Sequence, residues 1–152
     1  MKKILLSLIS VTALNALAQD TLYSENFEAA THSFTLNTSD MSGSSNNNLW
    51  LVNNSYAGGS GSFVCFGFPF TFTVPNAPDQ TPGITNAPNS KYMHITSQSA
   101  VSSGITCANY MAADGFCTND EYYFAKMTTP ISTLGAYGVN LTFWWSCGGE
   151  SG

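Results

Sequence analysis

Phe66-Gly67-Phe68-Pro69-Phe70-Thr71-Phe72-Thr73-Val74 is apolar at every even position, while Gly67, Pro69, Thr71 and Thr73 point the other way. A period of two over such a run predicts a strand with one buried face. Pro69 has no N–H to give a ladder, so an edge position or a bulge is expected there. Four phenylalanines on one side also suit a ligand platform, but core packing accounts for them without a ligand.

Working outward, further strands are expected at Thr21–Phe27, Leu49–Val52, Lys91–Thr96, Tyr122–Met127 and Leu141–Cys147, each of them rich in aromatic or β-branched residues. Loops rich in Ser, Asn, Gly and Pro separate them, at 42–48, 58–62 and 75–89. The last of these is long, and its four prolines, Pro75, Pro78, Pro82 and Pro88, suit a functional loop or an insertion. It is not read as a hinge, because too few residues flank it to bury two cores. No sustained, capped helical pattern follows the N-terminal segment. Strand number and spacing therefore predict an all-β protein, an antiparallel β-sandwich.

The N-terminus has another character. Met1-Lys2-Lys3 is basic, 4–14 is apolar apart from small hydroxyl residues, and Ala16-Leu17-Ala18 is a small-x-small cleavage site. This is the pattern of a secretory signal peptide, 1–18, with the mature domain spanning 19–152 from Gln19. The apolar run is too short for a membrane span, which needs about 20 residues, and no membrane span is expected elsewhere. An exported protein, secreted or held at a cell surface, follows. The chain stops at Gly152 directly after an apolar strand that needs neighbours, so it reads as the front part of something longer.

Loss of Lys2 and Lys3 leaves Lys91 and Lys126 against nine carboxylates, a net charge of −7, with no arginine. Nucleic acid is excluded as a partner, since phosphate neutralisation needs clustered Lys and Arg. Only 9% of residues are charged and 13% are aromatic, which suits an extracellular β-protein whose solubility comes from Ser, Thr, Asn and Gly.

Cys65, Cys107, Cys117 and Cys147 all lie in the exported part, where two disulfides are permitted. Three pairings are open. Cys107 to Cys117, closing a short loop around Gly115, is the expected one and leaves Cys65 to Cys147. Buried free thiols are the other reading, above all for Cys65 and Cys147.

Catalytic patterns are poor. There is no G-x-S-x-G elbow and no cysteine-protease signature. His32 lies in a polar turn, and His94 lies within a strand where a packed imidazole is expected. Asp120-Glu121 precede a strand and point apart, and Glu25 with Glu28 does not make the paired carboxylates a glycosidase needs. The chain reads as non-catalytic.

Tyr23-Ser24-Glu25-Asn26-Phe27-Glu28, Phe34-Thr35-Leu36-Asn37 with a polar loop to Trp50, Phe124 to Ser132, and Leu141-Thr142-Phe143-Trp144-Trp145 together resemble the cleaved-adhesin or choice-of-anchor J domains. These are MAM-like, concanavalin-like jelly rolls of Bacteroidota proteins exported by type IX secretion. The resemblance implies a jelly-roll sandwich, incomplete at its C-terminus, in which a C-terminal sorting domain would follow later. It also implies a structural calcium, held by Glu28 and by Asn37 and Asp40 of the following loop, with Glu150 as a later ligand. Here Asn37 stands where that family usually has Asp, and the loop 39–44 holds one carboxylate. Asp20-Thr21-Leu22 resembles the short O-glycosylation motif of that phylum.

Two functions are expected to compete, with an enzyme, a glycoside hydrolase or peptidase, as a less favoured third. One is an adhesin-like binding module that engages carbohydrate or an extracellular matrix protein through Trp50, Tyr56 and Trp144, with Asn53 and Asn54 as amide partners. The other is a structural or accessory domain of a larger secreted protein, with Trp50 and Trp144 in its core.

Overall fold

The computed structural model describes residues 20–38, 47–110 and 123–147. The signal segment 1–18, Gln19, Asp40, Cys117, Asp120, Glu121, Tyr122 and Glu150 lie outside the described residues.

Among the described residues, six strands and one short helix follow in the order β1 (Phe34–Thr38), β2 (Asn48–Asn53), β3 (Gly59–Cys65), β4 (Phe68–Val74), β5 (Tyr92–Ser97), α1 (Gln98–Ser102) and β6 (Phe124–Met127). They form three antiparallel ribbons, β1 with β6, β2 with β5 and β3 with β4. The all-β expectation holds in this form.

β3 and β4 make a hairpin whose two-residue turn is Phe66-Gly67, both with positive φ (48° and 83°). That is the geometry of a type I′ turn, whose twist matches the flanking strands. Phe66 is therefore a turn residue, and β4 starts at Phe68. The ladder runs without a bulge from Cys65↔Phe68 through Val64↔Pro69 to Gly59↔Val74. Pairs alternate between bonded and non-bonded, and the pair that closes a two-residue turn is bonded. Pro69 then falls at a non-bonded position, where its missing N–H costs the ladder nothing.

Sequence alone suggests a loop at 58–62, yet this is the start of β3. Its glycines have a packing reason. A Cβ on Gly61 would lie 2.5 Å from the Phe72 ring and 2.4 Å from Ser103 Oγ, so only glycine lets the hairpin lie against the end of α1. Gly59 sits likewise beneath Ile105.

α1 is short but fully capped. The Ser97 hydroxyl accepts from Ala100 N at 3.2 Å. At its other end Gly104, at φ +80°, donates to Val101 O and Ile105 donates to Ala100 O, both at 2.9 Å, a Schellman closure. This closure drives Ile105 back onto Ala100. Together with Val74 and Cys107 they form the buried core, flanked by Phe72 and Ala77.

β1 is bent by a bulge, because Thr35 pairs with Lys126 and Thr38 with Phe124, leaving two residues opposite one. Asn37 in this bulge is left-handed (φ 58°), a conformation asparagine tolerates. Its amide turns to β2, where Nδ2 donates to Trp50 O (3.1 Å) and Oδ1 accepts from Trp50 N (2.7 Å). One side chain supplies the rung that joins the β1–β6 ribbon to the β2–β5 ribbon.

Two expected strands are absent. In 21–27 the Glu25 carboxylate accepts from Phe27 N and Ser33 N, both at 2.9 Å, and Asn26 Oδ1 accepts from Glu28 N. Side chains have taken the N–H groups a ladder would use, and the segment turns instead of extending. Leu141–Cys147 has irregular backbone and lies open to solvent, because it pairs with no strand among the described residues. The expected disulfides are also corrected. Cys107 and Cys147 are free thiols, so neither Cys107–Cys117 nor Cys65–Cys147 is formed, whereas Cys65 is disulfide-bonded. Cys107 fails to bridge because its sulfur is turned to Pro75 O inside the core, and Cys147 because it lies on the open segment.

Candidate functional site

Trp50 and Tyr56 are built into the framework. Trp50 is half-buried; besides its two backbone bonds to Asn37, its indole Nε1 donates to Tyr123 O (2.9 Å), tying β2 to the start of β6. Tyr56 is half-buried too, donating its hydroxyl to Ser90 O and lying 5.1 Å from the Tyr92 ring. Burial raises the pKa of Tyr56 and of Tyr92. Trp144 stands apart on the open segment, 70% exposed beside Trp145. Asn53 is bound internally, with Nδ2 on Thr106 O and Oδ1 on Ser55 N.

Beneath Tyr92 lies a polar cluster around His94, which is buried and stacked on the Tyr92 ring at 4.4 Å. Its Nε2 meets Asn53 Oδ1 at 3.1 Å and its Nδ1 meets Thr96 Oγ1 at 2.8 Å. Burial lowers the imidazole pKa, so the ring is neutral near pH 7. Cys107 comes near through Thr96, which donates to Cys107 O (3.0 Å), but the thiol itself faces Pro75 O at 3.9 Å. Burial pushes that thiol up, away from thiolate character. Histidine and cysteine are thus turned to different partners in a place without solvent access. The chemistry of an activated nucleophile needs the reverse.

Glu28 and Asn37, expected from the resemblance to hold calcium, have their oxygens committed elsewhere. Glu28 Oε1 accepts from Ser90 Oγ (2.7 Å) and Lys91 N (2.8 Å), and Oε2 from Asn86 Nδ2 (2.7 Å). These bonds, first those from Asn86 and Ser90, hold the carboxyl below its usual range, with the charge of Lys91 helping. Asn37 is spent on Trp50. Calcium takes six to eight oxygens on a loop that wraps it; Asp40, the third expected ligand, lies outside the described residues. Among the described residues no group of three or more His, Cys, Asp or Glu side chains converges.

Among the described residues, exposed apolar side chains gather on the open segment, at Leu141, Phe143, Trp144 and Trp145, and, on regular secondary structure, at the far end of the β3–β4 hairpin. Phe66 at the apex is 77% exposed, and Val64, Phe68 and Phe70 beside it are also exposed. Phe63 and Phe70, opposite one another, stack at 5.6 Å. Rows of hydroxyls, Ser60 with Thr73 and Ser62 with Thr71, lie on the opposite face. No carboxylate or amide side chain belongs to this hairpin. The sequence shows the aromatic stripe, but only the turn shows that its end is uncovered.

No known protein family, characterised protein or solved structure matches this chain. Among the described residues no helix is long and apolar enough to cross a membrane.

Proposed function

We propose that this chain is an exported, non-catalytic binding module that grips an extracellular protein with the aromatic end of its β3–β4 hairpin. The observation that carries this reading is Phe66. A type I′ turn favours Asn-Gly, because the first turn residue must adopt positive φ and a large side chain is strained there. Phe66 accepts that conformation and then leaves its ring in water, so it serves neither the turn nor the core. Residues that break a local rule without a folding gain are where function is sought.

The ligand is read from the chemistry of the patch. A sugar needs a ring face plus amide or carboxylate partners, which this hairpin lacks; an apolar pocket on a protein needs only the rings. The resemblance to adhesin-like domains supports export and a jelly-roll sandwich. The Asn37 rung, which brings two ribbons edge to edge, supports their belonging to one larger sheet. The structural-domain reading is favoured at Trp50 and Tyr56, whose polar atoms are used inside the framework, and it applies to those residues rather than to the hairpin.

The test is Phe66→Asn, which removes the ring while supplying the preferred turn pair. Wild type and variant are passed over immobilised collagen, fibronectin and laminin, and over a glycan array. Binding to a matrix protein that drops at least tenfold in the variant supports the proposal. Binding to glycans alone, or equal binding by both proteins, overturns it.

A further inference from the structure

The hydrogen bonds that occupy the Glu28 carboxylate have a counterpart in Lys91. Phe27 has positive φ (60°), and after this kink the carbonyls of Glu28 and Ala29 both accept from Lys91 Nζ, at 3.2 and 3.1 Å. In return the Glu28 carboxylate accepts from the Lys91 backbone N–H at 2.8 Å. The two residues clamp each other reciprocally, side chain to main chain in both directions. Around the clamp, Asn86 and Ser90 bind the same carboxylate, which fastens the proline-rich loop.

Two carbonyl oxygens drawn together, with a carboxylate on the same residue as one of them, are surroundings that suit a hard cation. An ammonium group is a compact point charge with three donors and meets the same need from within the chain. We infer that the Lys91 ammonium is the structural cation of this corner, locking the N-terminal segment to the 75–91 loop and making the fold independent of calcium. The loop is then a fixed surface at any calcium concentration. This inference does not rest on the hairpin reading.

Thermal unfolding of the chain in EDTA and in 10 mM calcium, read as Tm, tests this on wild type, Lys91→Met and Lys91→Arg. Wild type is expected to melt at the same temperature in both buffers. Lys91→Met is expected to melt about 4 °C or more lower, and Lys91→Arg, which keeps a charged donor, to recover much of the loss. A wild-type Tm that falls in EDTA or rises with calcium overturns the inference, as does a Lys91→Met protein that melts with wild type. Should Lys91→Met fail to fold, a folded Lys91→Arg and a calcium-insensitive wild type sustain it, and a calcium-sensitive wild type still refutes it.

Discussion

Replacing Asn37 tests how the ribbons are joined. The side chain makes two hydrogen bonds to the Trp50 backbone, at 2.7 and 3.1 Å, in a part-buried place. Neutral bonds of this kind are worth about 1 kcal/mol each, so Asn37→Gly, which keeps the left-handed backbone at ease, should cost about 2 kcal/mol. Asn37→Ala loses the same bonds and also puts alanine, which tolerates the left-handed region less well than asparagine or glycine, at φ 58°, adding about 1 kcal/mol. Asn37→Asp keeps the acceptor for Trp50 N–H but sets a carboxylate against Trp50 O, and it should also destabilise. This ordering separates the rung from a metal-ligand role, in which Asp would be the better residue. Urea unfolding followed by circular dichroism gives the free energies. Glycine and alanine variants within about 0.5 kcal/mol of wild type, the scatter of ordinary surface substitutions, would refute the rung, and so would a stabilising Asp.

Three other expectations follow from the packing and the polar cluster. Gly61→Ala should destabilise by about 1–3 kcal/mol, since its Cβ would meet Phe72 and Ser103 at 2.5 and 2.4 Å; an unchanged denaturation midpoint would show that the hairpin does not rest on α1. His94 is buried with its pKa below the ordinary 6.5, so the unfolded state binds the proton more readily and stability should fall as pH drops below about 6.5. His94→Gln should flatten that limb of the Tm–pH curve, and a limb unchanged in the variant counts against a buried neutral imidazole. Of the two free thiols, exposed Cys147 should take maleimide in the native protein and buried Cys107 only after unfolding. Intact mass before and after denaturant reads this, and native labelling of Cys107 contradicts the sealed core.

Much of the strand pattern was legible because it rests on side-chain alternation. Leu49–Val52 and Lys91–Thr96 fall within or overlap β2 and β5, and the phenylalanine stripe marks β4. Failures came where side chains compete with the ladder or where packing overrides composition. Nothing in the alternation of 21–27 says that the Glu25 carboxylate will capture Phe27 N and Ser33 N. The glycines of β3 read as a loop, because their cause is the approach of Phe72, Ser103 and Ile105 from elsewhere in the chain. The capped α1 was invisible to periodicity, being shorter than two turns, although Ser97 and Gly104 bracket it in the sequence.

The candidate site was legible in its residue types more than in its placement. Trp50, Tyr56 and Trp144 are legible as aromatics, yet two of them are bonded into the framework and the third lies on the open segment between exposed Phe143 and Trp145. By alternation Phe66 belongs to the same stripe as Phe68, Phe70 and Phe72. A local signal was present in Phe-Gly between two alternating runs, since Gly at the second position marks a tight turn. The cysteine pairing was beyond spacing arguments, because which sulfurs meet depends on how the loops fold.

In the proposed function the Phe66 ring serves recognition and not folding. The decisive measurement is the unfolding free energy of Phe66→Asn against wild type. The account predicts a variant at least as stable, by about 1 kcal/mol if the left-handed strain is fully relieved. A loss of more than about 1 kcal/mol, as expected when a packed side chain is removed, would mean that the ring holds the hairpin together, and the binding role assigned to it would fall.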